Sequence, residues 1–367
     1  MRTTPVHVER IFRIALLLVL LSLLALGLFA QAPPVMKDEA VYVRLASEND
    51  FFKLRGNTDR YFTNGERLDV FFSSKYEAGL EKLFFVLPRR NYPFRSNEFG
   101  IGVGMNMYTP TDIALVKPDS TDRPYAGWTY AAIKCISNDF TTKQRLTTEH
   151  SLGVIGPAAG QKEVQIWYHA LIGSQEPMGW DNQIANDFAY NLNVTYEKEL
   201  IHPVRQIQVV GTVEANAGTV TNHIGLGGLI RIGRFNDYFV QEFGLLKDST
   251  DLDRYQKEVL PTMPADLHMD DIDRKFQLYF QIRPLFRAVL DNSLLQGGMF
   301  GFRDSPHTVP ADELKRFYVN TEYGLTLICS GFGITFTQSF RSPEFTNAKW
   351  SHWGGISIVA RIAKGRR

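Results

Sequence analysis

The chain has 367 residues, 22% of them charged, 44% hydrophobic and 13% aromatic, which excludes intrinsic disorder and leaves ample length for a core. Forty Lys plus Arg against 39 Asp plus Glu give a net charge of +1, too balanced for a bulk nucleic-acid binder or an acidic tail protein. Two cysteines, Cys135 and Cys329, exclude a structural zinc site and a disulfide scaffold, and leave either two lone thiols or one bridge.

At the N-terminus, Arg2, Arg10 and Arg13 precede the unbroken apolar run Ile14 to Ala30 and the small-residue triplet Ala30-Gln31-Ala32. This pattern predicts a secretory signal peptide over residues 1–32, cleaved after Ala32; the alternative is an uncleaved anchor. Either way the remainder, residues 33–367, is exported and forms one domain. No second run of 18 apolar residues occurs, so the mature part has no predicted transmembrane helix.

Beyond the leader, apolar residues alternate with a period of two. Phe99, Ile101, Val103, Met105 and Met107 alternate with Gly100, Gly102, Gly104 and Asn106, and the same period recurs down to Ile356, Ile358, Ala360 and Ile362. It predicts twelve strands, near 40–50, 63–73, 98–108, 126–138, 143–155, 187–198, 205–216, 221–233, 276–290, 317–329, 331–341 and 352–363. Ten-residue segments with one apolar side and one side of Gly, Thr, Gln and Arg, in an exported chain, indicate an all-β fold: a twelve-stranded antiparallel outer-membrane barrel. A soluble β-sandwich shares the alternation; Tyr42, Trp128, Tyr130, Phe317 and Trp353 near strand ends favour the barrel as candidate interfacial aromatics. Two long connections, 74–97 and 234–275, are expected to decorate one rim, the first with a short helix through Tyr76, Leu80, Leu83 and Phe84. The Gly225-Leu226-Gly227-Gly228 run is strand glycine and not a phosphate cradle.

With the N-terminus on the inner side, every connection from an odd to an even strand is external. Glu48 to Phe52, Asp59 to Gly65, Tyr108-Thr109-Pro110, Asp122 to Trp128 and the stretch from Gly156 to Gln183 then share one rim. Within the last, Gln161 to Gly173 predicts a short helix with Val164, Tyr168 and Leu171 on an apolar stripe and Gln165, His169 and Ile172 on another side. A histidine can take a proton from water near neutral pH, and the hard oxygens of Asn49, Asp50, Gln175 and Glu176 at the same rim suit calcium and not zinc. The sequence has no G-x-S-x-G, H-E-x-x-H, P-loop or C-x-x-C motif, so serine-hydrolase, zinc-protease, nucleotide and thioredoxin chemistry lack support.

Taken together, E-N-D-F-F at 48–52, D-R-Y-F-T-N-G at 59–65, Y-T-P at 108–110, D-R-P-Y-A-G-W at 122–128, G-V-I-G-P at 153–157, E-V-Q-x-x-x-H at 163–169 and G-W-D-N-Q at 179–183 resemble the lipid A 3′-O-deacylase (LpxR) family. The motifs cover residues 40–200; beyond them the agreement is in strand pattern. The resemblance implies a twelve-stranded outer-membrane barrel that uses Ca2+ to hydrolyse the ester of the 3′ acyloxyacyl group of lipid A, remodelling lipopolysaccharide. By position it implies His169 as the base that activates water, Asp50 as a calcium ligand, Asn49 as its active-site neighbour and Thr63 at the metal. The family's glutamate falls on Gln175 by ungapped counting, with Glu176 next: either the loop shifts by one and Glu176 serves as catalytic and metal residue, or the Gln175 amide replaces a carboxylate. Lys117 falls where the family places basic residues near substrate phosphates; a solvated loop lysine is the other reading. Arg60 and Arg123 follow aspartates and are candidate loop anchors. The expected partners are lipid A or lipopolysaccharide and outer-membrane lipids, with no nucleic acid, and the chain is expected to be a monomer. The alternative functions on this scaffold are a passive pore and a non-catalytic glycolipid-binding barrel.

Overall fold

Alternating side chains can bury one face of each strand and leave the other to a second apolar phase only if the sheet closes on itself, because lipid cannot satisfy an open edge. In the computed structural model that closure is complete. Residues 41–54, 60–72, 77–88, 95–140, 142–239, 274–301 and 304–363 are described; the expected signal peptide, most of the 234–275 connection and Tyr76 of the expected helix lie outside them. The strands are β1 (Val41–Asn49), β2 (Tyr61–Phe72), β3 (Arg95–Thr109), β4 (Ala126–Asp139), β5 (Gln144–Ile155), β6 (Asp187–Val204), β7 (Ile207–Gly218), β8 (Thr221–Arg234), β9 (Phe276–Asn292), β10 (Phe317–Cys329), β11 (Phe332–Arg341) and β12 (Ser351–Ala363). Each pairs antiparallel with its chain neighbours, and β1 closes on β12 with Leu45 opposite Ile358.

Register sorts the residues into two faces. Leu45 opposes Leu68, which opposes Val103, and Val43 opposes Val70, which opposes Ile101; Ile101 and Val103 are exposed, so this face is the outer wall. The intervening residues point inward, and many are charged. Arg44 and Arg67 pair with Asp69 at 2.5 and 2.9 Å, and Arg67 and Lys134 share Glu149 at 2.7 and 2.9 Å. A polar cavity of about 390 Å³, lined by Arg44, Glu48, Arg67, Arg283 and Glu322 among others, occupies the lumen. Apolar layers cross the lumen on either side of it: Phe62, Tyr108, Ala126, Ile155, Val220 and Trp353 towards the external rim, and Tyr42, Phe71, Ile136, Ile328 and Val359 towards the inner one. Tyr42, Tyr130 and Trp353 are therefore buried inside the barrel, and Trp128 packs half-buried against the external layer; none of the four is an interfacial aromatic as the sequence suggested, whereas Phe317 is 78% exposed. All five sit near strand ends as expected, and register sets the face each one takes.

Connections on the inner side are hairpins, such as Ser330 (φ 49°) and Gly331 (φ 107°) between β10 and β11, where two residues of positive φ match the strand twist. The exceptions are the long β2–β3 and β8–β9 connections, the second of which lies mostly outside the described residues. After the helical turn α1 (Glu77–Leu80), residues 81–88 do not sit on the rim as expected but lie against the outer wall of β4 and β5, where the Thr148 hydroxyl donates to the Phe85 carbonyl at 2.8 Å. Cys135 is buried and Cys329 exposed, and no disulfide bridge joins them. In β8, a Cβ on Gly225 would meet Glu214 Cγ at 2.5 Å, so the glycine run relieves crowding.

Candidate active site on the outer wall

At its external end β1 runs into a 3-10 turn, Asp50–Phe52, because Asn49 caps it: Asn49 Oδ1 accepts the Phe51 N–H at 2.7 Å. Gln338 fixes the turn from β11, donating to the Phe52 carbonyl at 3.0 Å and accepting from the Leu54 N–H at 3.0 Å. Asp50 is thereby held buried at the rim.

Across from it, β2 carries a bulge. Phe62 pairs with Tyr108 but Asn64 pairs with Met107, leaving Thr63 extra. Residues two apart would ordinarily share a face; the bulge instead sends Phe62 into the lumen layer and Asn64 and Glu66 to the outer wall, in phase with Leu68 and Val70. Thr63 Oγ1 meets Thr109 Oγ1 at 2.7 Å, both buried. On the same outer face, Ser47 donates to Glu66 at 2.6 Å, and the Asn64 amide lies 3.1 Å from both Glu66 Oε1 and the Asn49 amide. The result is a polar patch, Ser47, Asn49, Asn64 and Glu66, on the face that two residues further along is apolar.

The predicted helix is present as α2 (Gln161–Ile172), closed by Gly173 in the left-handed region (φ 64°). The structure decides which of its two stripes meets the protein. Gln161, Gln165 and His169, one turn apart, form the buried stripe, while Trp167 and Leu171 are exposed. The physical reason is position: α2 lies on the outside of β4, with Gln161 Nε2 on Thr129 Oγ1 at 2.9 Å and the Ala159 carbonyl accepting from the same hydroxyl at 2.8 Å. These bonds hold the polar stripe to the wall and leave Trp167 and Leu171 outward. Val164 packs on Met107, Ile113, Tyr125 and Trp180, and Trp180 Nε1 donates to Gln165 Oε1 at 2.7 Å.

His169 is buried, and its Nδ1 lies 2.5 Å from the backbone carbonyl of Gln175. A carbonyl only accepts, so Nδ1 carries the proton and the neutral ring keeps its lone pair on Nε2. Gln175 thus meets His169 through its backbone; its side chain donates to the Glu176 carbonyl at 3.2 Å, and both residues are exposed. Lys117 is exposed on the β3–β4 connection, which Asn182 ties to the segment after α2 through the Val116 carbonyl at 2.9 Å. Arg123 is a buried anchor: it reaches Glu344 at 2.8 Å, which Arg341 also meets at 3.4 Å, and stacks on Tyr108 at 4.2 Å. Burial alone would raise the Glu344 carboxyl, but Arg341 and Arg123 together hold it below its usual range. Arg60 donates to the Trp350 carbonyl at 2.6 Å, also as a loop anchor.

Glu66, Asn64 and Ser47 are not among the candidates that the sequence offers. The signal is there as polar residues in phase with Leu68 and Val70, but the Thr63 bulge hides the phase. A trio with ligand atoms within 4.8 Å of one another, compatible with a metal, is Glu199, His202 and Asp237, at the opposite, inner rim. There Asp237 already pairs with Lys143 at 2.5 Å and Glu199 accepts from Gln208 at 2.6 Å.

The sequence profile of the family described as outer membrane protein LpxR matches residues 14–362. The chain belongs to the LpxR family. Its structure superposes on LpxR from Salmonella typhimurium with a TM-score of 0.63 at 16% identity, covering 88% of this chain and 100% of that one. The β domain of the Bordetella autotransporter BrkA (TM-score 0.39, 8% identity, 89% and 99% covered) and the translocator domain of NalP from Neisseria meningitidis (0.37, 9%, 88% and 88%) are more distant. No curated protein matches in a sequence search. This LpxR-family barrel is an outer-membrane protein of a family that modifies lipid A.

Proposed function

We propose that this LpxR-family protein is a calcium-dependent lipid A 3′-O-deacylase, releasing the 3′ acyloxyacyl group by ester hydrolysis at the outer leaflet. The observation that carries the reading is the polar patch with Asn49, Asn64 and Glu66 on the outer wall, beside α2, in phase with lipid-facing Leu45 and Leu68. Polar groups facing lipid are costly and mark a site. A substrate reaching that patch is itself a membrane lipid, approaching sideways.

In this reading His169 Nε2 takes the proton of the attacking water, with the Gln175 carbonyl holding the tautomer and the ring. Gln165 positions α2 against Trp180, so the histidine does not wander from the wall. Asn49 shapes the Asp50 turn. The donor chemistry at this rim fits calcium: a carboxylate at Asp50, a hydroxyl at Thr63, and amide or carboxylate oxygens at Gln175, Glu176 and Glu66, with no thiolate. Asp50 and Thr63 would hold the ion, with Gln175 or Glu176 completing it. Calcium, when bound, supplies fixed positive charge that polarises an ester carbonyl and stabilises the oxyanion. Lys117 on the exposed connection would meet a lipid A phosphate.

The test is mass spectrometry of lipid A incubated with refolded protein in calcium or in EDTA, beside His169→Ala. The expected result is loss of one acyloxyacyl mass with calcium and intact His169, and a fall of about 10²–10⁴-fold in the variant. Full activity of a folded His169→Ala protein would remove the histidine from its role. No mass change on several lipid A types would favour a binding barrel.

A further inference from the structure

The outward-facing residues of the inner half of β4 and β5 are polar where lipid contact would call for apolar ones. Ala131 and Ile133 are exposed on the outer wall, and two and four residues beyond Ile133, in the same phase, Cys135 and Ser137 are fully buried. On β5, Leu152 is 54% exposed while His150 and Thr148, in phase with it, are polar and Thr148 is fully buried. The segment 81–88 covers them. The three wall polar groups serve its backbone: His150 Nε2 meets the Leu83 carbonyl at 3.0 Å, Thr148 donates to the Phe85 carbonyl at 2.8 Å, and the Leu87 N–H donates to Ser137 Oγ at 3.2 Å.

The imidazole of His150 is satisfied on both sides. Nε2 must donate to a carbonyl, so Nδ1 accepts, and Tyr190 on β6 lies 3.0 Å from it with its hydroxyl to give. Phe84 packs between Phe99 and His150, with ring centroids 6.1 and 5.7 Å away. Meanwhile Leu83 and Phe85 point away from the wall, 57% and 60% exposed. Irregular backbone at membrane depth is tolerated only where protein meets its polar groups, which is what Ser137, Thr148 and His150 do.

Register sets the depth. His150 is the seventh residue of β5 counted from its inner end, and at ~3.3 Å per residue and a tilt of ~40° it stands roughly 15 Å above that end. We propose that residues 81–88 form a re-entrant strap embedded in the periplasmic leaflet, with phospholipid acyl chains as the partner of Leu83 and Phe85. Leu83 and Phe85 add exposed apolar surface to that of Ile101, Ile133 and Leu152, with Lys82 exposed beside them, its long stem able to carry its charge towards the headgroups. The strap and α2 cover opposite ends of the same strand, over Ser137 and over Thr129, so the barrel is thickened on one side in both leaflets.

The experiment attaches an environment-sensitive fluorophore through Phe85→Cys on a Cys329→Ser background, Cys135 being fully buried, in phosphatidylcholine vesicles containing the refolded full chain. Probes at Leu152→Cys on the outer wall and Ser330→Cys at the inner hairpin are the references. The expected result is blue-shifted emission at position 85, lost to mid-chain brominated lipid as at position 152 and insensitive to aqueous iodide. Emission quenched by iodide as at position 330, and untouched by brominated lipid, would overturn the proposal. Neither outcome depends on whether the protein hydrolyses lipid A.

Discussion

Glu344→Gln removes one charge from a pair that has no access to water. The Arg123 side chain is 0% exposed and meets Glu344 at 2.8 Å, with Arg341 at 3.4 Å on the other oxygen. At an effective dielectric of about 20, unit charges ~4 Å apart attract by ~4 kcal/mol, and breaking a buried pair from one side costs about 3–5 kcal/mol because the surviving charge stays desolvated. The glutamine keeps an acceptor for Arg123, so a loss of about 3 kcal/mol is expected. The assay is urea unfolding in lipid vesicles at neutral pH. Acid provides an internal check. The Glu344 carboxyl is held below its usual range, so its contribution is complete above about pH 4.5, the ordinary glutamate value, and is lost as pH falls through the lowered folded value. The gap between parent and variant should therefore close on strong acidification. A variant within about 1 kcal/mol of the parent at neutral pH, or a gap that does not shrink in acid, would refute the reasoning. The consequence reaches the site, since this pair ties the β3–β4 connection carrying Lys117 to the β11–β12 connection.

Three more outcomes bear on the site. Gln165→Ala leaves Trp180 Nε1 without its acceptor and should lower deacylation by about tenfold with a shift in tryptophan emission; unchanged emission would mean the contact is not formed. Glu66→Gln removes a carboxylate from the outer patch and should raise the calcium concentration needed for half activity by roughly tenfold, read from an activity titration in buffered calcium; an unchanged requirement would exclude Glu66. Lys117→Ala should raise KM several-fold for phosphorylated lipid A and leave kcat and the dephosphorylated substrate untouched, and equal effects on both substrates would sink the phosphate contact.

The barrel is written locally in the chain. Period-two alternation is a property of each strand alone, so the twelve segments, their even number and their external and internal connections are legible without any tertiary contact, as are α2 and the place of His169 on it. The motifs likewise carry the family. Which way each group faces is a different matter, because it depends on pairing between distant segments. Trp353 and Tyr42 could serve equally as interfacial aromatics or lumen plugs, and pairing register sends them inward. The Thr63 bulge reverses the phase of β2, turning Phe62 in and Glu66 out, and a one-residue slip is invisible in the alternation on either side of it. The amphipathicity of α2 yields two stripes but not which one meets protein; the outer wall selects Gln161, Gln165 and His169 because Thr129 and Trp180 supply hydrogen-bond partners there, which leaves Trp167 and Leu171 outward. In the same way, Ser137, Thr148 and His150 are indistinguishable by local pattern from ordinary strand polar residues. Their purpose depends on a segment some fifty or more residues earlier in the chain folding back over them, and long-range contact of that kind leaves no local period to read.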